Sequence, residues 1–264
     1  MLALHTWTLD TTPLAEVLRV ARRVGWDGIE LRRADFARAA ERGQSAADVL
    51  ALVSADGLPV ACVGVEFGWM YAEGAERLRL LRVFDEQCGR AAAAGCRTVM
   101  SPVDKGRGDL RRAAESVREV GELAAKHGVR LAVEFNSQAE QLNTLARMRE
   151  VMVTAGHPRC GLLLDTYHLW RSGATLRDVD DVRRDELVYV QFSDVPASVE
   201  SGKVTDRLPP GRGVVPFKEF FALVDAKGYR GFMSYEAPNP AAWARPADDV
   251  AREALEATRA VQPR

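Results

Sequence analysis

The sequence predicts an α/β chain folded as a single (β/α)8 TIM barrel, and three observations carry that reading. Short apolar runs recur eight times, amphipathic or alanine-rich segments lie between them, and a glycine repeatedly separates the end of such a segment from the next apolar run. Glycine tolerates the left-handed conformation that closes a helix, so each of these positions marks a turn from helix to strand. Spread over eight units, 264 residues give about 33 per unit, close to a βα repeat in a barrel of roughly 250 residues. An open doubly wound sheet is the alternative, but the first strand runs into WTLD at Trp7 to Asp10, with no glycine-rich fingerprint. No shift in composition divides the chain, so one domain over residues 1–264 is expected.

The elements follow in order. Leu2 to Trp7 reads as the first strand, and Thr11, Thr12 and Pro13 start a helix over Leu14 to Val24 that Gly25 ends. Ile29 to Leu31 is the second strand, with Glu30 embedded in it. A helix ending near Asp56 and Gly57 leads to Val60 to Val65; the alanine-rich helix Ala75 to Ala94 ends at Gly95 before Thr98 to Ser101. Leu110 to His127 closes at Gly128 and gives Arg130 to Phe135, and Gln141 to Ala155 ends at Gly156. Then comes GLLLDTYHLW, Gly161 to Trp170, a continuous apolar run of the kind buried on both faces of a parallel sheet, ending in Asp165 and, three residues on, His168. Leu187 to Phe192, the helix Phe217 to Lys227, Phe232 to Tyr235 and a last helix Arg245 to Val261 complete the barrel.

Composition narrows the function. A formal net charge of -1 with interspersed signs argues against a nucleic-acid footprint or an anionic membrane surface. Met1 to Asp10 shows no basic stretch followed by an apolar one, and no apolar run is long enough to span a bilayer, so a soluble cytoplasmic protein with a small-molecule partner is expected. Cys62, Cys88, Cys96 and Cys160 are widely spaced within apolar runs and are expected to be buried free thiols.

In a barrel of this kind the site forms where strands pass into the following loops. The polar residues at strand ends are His5, Glu30, Glu66, Glu134, Asp165, Gln191 and Glu236, and the last four come from successive strands. Each alone fits a helix cap or an ion pair, Glu30 a pairing with Arg32 or Arg33, Glu66 a loop charge and His5 a core hydrogen bond. Together they would repel unless a cation joins them. Carboxylate and amide oxygens favour one divalent ion of the magnesium or manganese type, with cobalt or zinc able to substitute. Trp7, Trp69 and Tyr71 are placed to stack on a sugar face or to pack.

With AVEF at Ala132 to Phe135, LLLDTYH at Leu162 to His168, VQFSD at Val190 to Asp194, PPGRG at Pro209 to Gly213 and GYRGFMSYE at Gly228 to Glu236, nearly the whole chain resembles the xylose-isomerase-like TIM-barrel superfamily of sugar isomerases and epimerases. The resemblance implies that Glu134, Asp165, Gln191 and Glu236 bind one divalent metal. It also implies that Arg207 and His168 face the substrate, and His5, Glu30 and Trp7 are expected beside them. Gln191 departs from the histidine of many epimerases and looks like hydroxypyruvate isomerases and some bacterial 3-dehydroshikimate dehydratases. Endonuclease IV-type repair enzymes share the barrel but use several histidines in a trinuclear zinc site, whereas this chain has four histidines in all.

The chemistry this implies begins with proton abstraction next to the carbonyl of a small polyhydroxylated compound, with Glu134 and Glu236 as bases and an enediolate as the product of that step. Returning the proton makes an isomerase or epimerase, the leading expectation. Expelling a β-hydroxyl makes a dehydratase of a keto-cyclitol or dehydroshikimate-like ring, with His168 as acid or base because an ordinary imidazole titrates near neutrality. A barrel without activity, serving as a partner subunit, is the third reading. The polar loop Pro196 to Pro210 is expected to cover the mouth; association into a homo-oligomer is compatible with the fold, though no helix singles out an interface.

Overall fold

The computed structural model describes residues 1–198 and 204–263. Its strands are β1 (Leu2–His5), β2 (Gly28–Leu31), β3 (Val60–Gly64), β4 (Thr98–Pro102), β5 (Arg130–Glu134), β6 (Cys160–Asp165), β7 (Leu187–Phe192) and β8 (Met233–Tyr235), all parallel and closed in the order β1-β2-β3-β4-β5-β6-β7-β8. The helices are α1 (Leu14–Val24), α2 (Arg33–Glu41), α3 (Ala46–Asp56), α4 (Gly74–Ala93), α5 (Leu110–Lys126), α6 (Leu145–Ala155), α7 (Thr166–Arg171), α8 (Leu176–Asp180), α9 (Phe217–Ala226), α10 (Pro240–Trp243) and α11 (Ala247–Val261). This is the (β/α)8 barrel that the sequence predicts, and Gly25 at φ 97° and Gly57 at φ 78° close α1 and α3 in the left-handed conformation that favours glycine. No helix among the described residues is long and apolar enough to cross a membrane, and all four cysteines are buried and free.

Several boundaries move for local reasons. β1 stops at His5 because the His5 ring accepts a hydrogen bond from the Trp7 backbone N–H and the chain tightens into a 3-10 turn over Thr6–Leu9, so Trp7 lies beyond the strand. Residues 141–144 are not helical: the Gln141 amide oxygen is held by the Tyr71 hydroxyl at 3.1 Å and the Gly108 N–H at 2.9 Å, and Thr144 caps α6 instead. α11 starts at Ala247, one residue after Pro246. α2, α8 and α10 are additional to the helices read from the sequence, and α2 starts where Asp35 accepts from the Arg32 N–H and the Thr6 hydroxyl.

The core has two shells. Most apolar residues lie between the barrel and its helices, and a smaller cluster of Cys62, Met100, Ala132, Leu163, Val188 and Tyr189 fills the lumen. Because side chains alternate along a strand, the residues two positions after Ala132, Leu163 and Tyr189 also face inward. Those residues are Glu134, Asp165 and Gln191, at the C-terminal ends of β5, β6 and β7. Register aligns Asp165 with Gln191, and His5 with Glu30 on the far side. The site is thus a continuation of the lumen's packing at the level where apolar side chains give way to polar ones.

At the foot of β6 the fit is tight. A Cβ on Gly161 would stand 2.5 Å from Val188 Cγ2 and 2.6 Å from the Glu186 carbonyl oxygen. Gly161→Ala should therefore destabilise the barrel by about 2 kcal/mol, the scale of overpacking a filled interior, measured as a shift in the urea midpoint; an unchanged midpoint would show that β6 and β7 can separate without cost.

Candidate active site

A cavity of about 340 Å³ opens at the C-terminal mouth, lined by His5, Trp7, Glu134, His168, Arg207 and Glu236 among others. Val204 also lines it, so the described end of the 196–210 loop reaches the mouth; residues 199–203 of that expected cover lie outside the described residues.

Asp165 serves two purposes at once. Its Oδ1 accepts from the Tyr167 N–H at 3.0 Å, capping α7, while Oδ2 faces the mouth and accepts from Arg207 Nη1 at 2.8 Å. The helix-cap and site readings of this residue are therefore compatible. Arg207 Nη1 also donates to Glu236 Oε2 at 3.0 Å, so one guanidinium bridges two buried carboxylates. The Tyr167 ring lies 4.3 Å under that guanidinium, and the Tyr167 hydroxyl donates to Asp206 at 2.6 Å.

Glu134 is the exception. Its Oε1 is buried with no hydrogen-bond partner among the described residues, and burial, then Asp165 and Glu236, push its pKa well above the carboxylate range. Glu236 is raised to about 6 by burial, with Arg207 pulling the other way. His5 presents Nε2 toward Glu236 at 3.5 Å; burial, then Arg32 and Arg207, keep it neutral.

His168 lies 3.9 Å from both Glu134 Oε1 and Asp165 Oδ2. Its Nδ1 accepts from the Ser137 N–H at 3.3 Å, and a backbone N–H can only donate. The proton must then sit on Nε2, the nitrogen facing the cavity. The long 3.5 Å approach of Arg207 Nη2 to Nε2 would require the opposite tautomer, and the Ser137 N–H decides against it. Burial first, opposed by Asp165 and aided by Arg207 and Arg171, lowers His168 to about 4. This corrects the expectation that it exchanges protons near neutrality: it is a neutral donor.

Glu30, expected beside the substrate, is placed differently. Glu30 is 0% exposed and does not line the cavity: Gln191 Nε2 donates to its Oε1 at 2.8 Å and the Tyr189 hydroxyl to its Oε2 at 3.1 Å. Burial, then Glu236, raise it to about 8. Glu66 pairs with Arg33 at the rim. Trp7 lines the cavity under Arg32, whereas Trp69 is buried against Phe84 and Ser101. Lys105, Asn136, Gln138 and Ser137 were not singled out by the sequence; the last three follow directly after Glu134 and Phe135 on the β5 loop, which is where such residues are to be sought.

The donors suit a hard divalent cation. Glu134, Asp165 and His168 offer atoms within 4.8 Å of one another, and Gln191 Oε1, like Glu134 Oε1, is buried without a partner among the described residues. With its proton on Nε2, His168 would have to change tautomer to join them, whereas the oxygens are already set as donors. A cation shared by Asp165 and Glu236 would compete with Arg207 Nη1 for the same two carboxylates.

Residues 18–261 match the model of the family described as xylose isomerase-like TIM barrel. A 3-dehydroshikimate dehydratase of Pseudomonas putida is 29% identical over 151 residues, 56% of this chain and 24% of that protein. An inosose isomerase of Halalkalibacterium halodurans is 25% identical over 154 residues, 57% of this chain and 54% of its own length. The chain thus spans about a quarter and about half of these two relatives. A crystal structure of the IolI protein with a bound zinc atom superposes with a TM-score of 0.88 at 17% identity, over 98% of this chain and 97% of the other, a likeness of fold.

Removing Arg207 leaves Asp165 and Glu236 buried beside Glu134 without their counter-cation. Arg207→Ala should cost about 3 kcal/mol, the scale for breaking a buried ion pair, in urea denaturation with EDTA present; a midpoint equal to wild type would mean that the carboxylates are protonated or solvated without it.

Proposed function

The chain belongs to the xylose isomerase-like TIM-barrel family, and within it we propose a divalent-metal-dependent dehydratase. It would act on a small polyhydroxylated ring ketone, of the dehydroshikimate or keto-cyclitol type. The observation that carries this reading is the inequality of the two glutamates. Arg207 binds one Glu236 oxygen and His5 Nε2 faces the other at 3.5 Å, whereas Glu134 Oε1 has no hydrogen-bond partner among the described residues, His168 Nε2 lying 3.9 Å away. One free base on one side suits removal of a proton and loss of a β-hydroxyl better than transfer between two faces.

The proposed metal donors are Glu134, Asp165, Gln191 and Glu236, an oxygen set matched to magnesium or manganese. When bound, the cation polarises the substrate carbonyl and offsets the negative charge that develops on its oxygen. Glu134 takes the proton from the carbon next to the carbonyl, with its unpartnered Oε1 as the acceptor. As the enolate returns to the ketone, a double bond forms between its α and β carbons, the C–O bond of the β-hydroxyl breaks, and the proton held by Glu134 leaves with that hydroxyl as water. His168 keeps its own proton and uses Nε2–H to orient the departing hydroxyl. Arg207 directs its second nitrogen, Nη2, toward the same region. The products are an unsaturated ketone and water, and atoms balance.

The rim supports an anionic substrate. Arg32, Arg33 and Lys105 line the cavity; the two arginines pair with Asp10 and Glu66, while Lys105 is exposed and has no ion-pair partner among the described residues. A ring carboxylate would meet Lys105. The second reading, isomerisation or epimerisation, rests on Glu236: released from Arg207, it becomes a second base on the other side of the mouth, and the similarity to inosose isomerases favours testing it.

With manganese and a panel of 3-dehydroshikimate, inosose, hydroxypyruvate and ketoses in D2O, the dehydratase should give an ultraviolet-absorbing conjugated product. Deuterium uptake beside the carbonyl without that product would instead support the isomerase, and neither signal from any member would sink both. Glu134→Gln should lower kcat at least about 100-fold, as loss of a general base does. Lys105→Met should raise KM about 5-fold for a carboxylated ring ketone, the upper scale of an exposed ion pair, and leave KM for neutral inosose unchanged; equal effects on both would remove Lys105 from carboxylate recognition.

A further inference from the structure

Resting on the reading of Gln191 as a metal donor, we infer that Glu30 is a positioning residue that turns the Gln191 amide so that its carbonyl oxygen faces the metal donors. An amide has two ends of nearly the same size, one an oxygen acceptor and the other an NH2 donor. Packing alone does not distinguish them, so orientation is set by the charges and hydrogen bonds around them. Gln191 is 0% exposed, and its Nε2 donates to Glu30 Oε1 at 2.8 Å. That bond crosses the lumen from β7 to β2, strands that are not neighbours in the barrel. The other carboxylate oxygen of Glu30 accepts from Tyr189, two residues before Gln191 on the same inner face. Two rungs of β7 therefore grip one carboxylate.

The consequence appears at the opposite end of the amide. Gln191 Oε1 is buried with no hydrogen-bond partner among the described residues. Turned around, the amide would set two acceptor oxygens against each other at Glu30 and point an NH2 at the proposed metal site, where an oxygen is needed. Glu30 thereby decides whether Gln191 can act as a ligand. Its Oε1 must accept in either protonation state, and a proton, when present, sits on Oε2 against the Tyr189 oxygen. A fully buried carboxylate whose hydrogen-bonding partners are an amide and a hydroxyl, with the neutral His5 ring beside them at 3.7 Å, is costly as a packing element. A neutral side chain would fill the same space more cheaply, so the retained acidity points to the orientation it imposes.

The test is manganese affinity of the full chain by isothermal titration. Glu30→Met, which keeps volume and removes the acceptor, should weaken Mn2+ binding about 10-fold or more, as loss of a residue behind a metal ligand does. Glu30→Gln should stay within about 3-fold of wild type, because its oxygen still accepts from Gln191 while the Tyr189 oxygen takes its NH2. Glu30→Met added to Gln191→Ala should weaken binding no further. The inference is overturned if Glu30→Met binds Mn2+ like wild type while Gln191→Ala binds weakly, or if the two losses add. If Gln191→Ala itself binds like wild type, the donor reading fails and the inference with it. Should Glu30→Met not fold, Glu30→Asp withdraws the acceptor by one methylene while keeping its charge; a loss of affinity supports the inference and unchanged affinity overturns it.

Discussion

The ion pair of Arg207 with Asp165 and Glu236 is the contact on which the mouth of this barrel depends. Strand alternation places several carboxylates on the inner face at one level, and apart from Glu30 the lumen below them is filled mainly by apolar side chains, so their charges have little water to share. A large part of the following loop is built to deliver the guanidinium. Asp194 accepts from the N–H groups of Val195, Gly213 and Val215, a bridge joins Asp194 to Leu208, and Asn239 donates to the Arg207 carbonyl at 3.0 Å. The PPGRG turn is thus a frame for one side chain. Its glycine at 213 is required by space: a Cβ there would stand 2.1 Å from the Val195 carbonyl oxygen.

Around that cation the two inner histidines are held in the same state by the same device. Each has Nδ1 engaged by a backbone N–H, Trp7 for His5 and Ser137 for His168, so each turns a protonated Nε2 toward the carboxylates. Burial and the nearby arginines keep both rings neutral. The cavity therefore combines carboxylate acceptors with uncharged donors, and the positive charge is concentrated in Arg207 and the rim. These acceptors and donors are held in place by the protein's own hydrogen bonds before anything enters the cavity.

The barrel was legible because its signals are local. A glycine after an amphipathic segment, or an apolar run ending in an acid, needs no knowledge of what lies across the fold, and Gly25, Gly57 and Asp165 all sit where those signals put them. The strand-end rule likewise brought Glu134, Asp165, Gln191 and Glu236 into one inner layer. What escaped depends on partners distant in sequence. Gln141 to Thr144 have a helical pattern, yet the Tyr71 hydroxyl claims the Gln141 side chain. Glu30 reads as a strand-end acid of the same kind as Glu134, and only the strands on the far side of the lumen show that Tyr189 and Gln191 occupy it. The tautomer of His168 turns on Ser137, 31 residues away.

The difference between a carboxylate and an amide explains why one acid lies so deep. Either oxygen of a carboxylate can face a cation, so Asp165 gives Oδ1 to the start of α7 and Oδ2 to the Arg207 guanidinium at the same time. An amide has one suitable end and needs a neighbour to choose it. That neighbour must be an acceptor, must sit beneath the donor layer, and must itself be held in place. Glu30 meets these three conditions through its position on β2, its full burial and its contact with Tyr189. A glutamine at 191 thus carries a structural requirement that reaches across the barrel, and the buried acid in GIEL answers it.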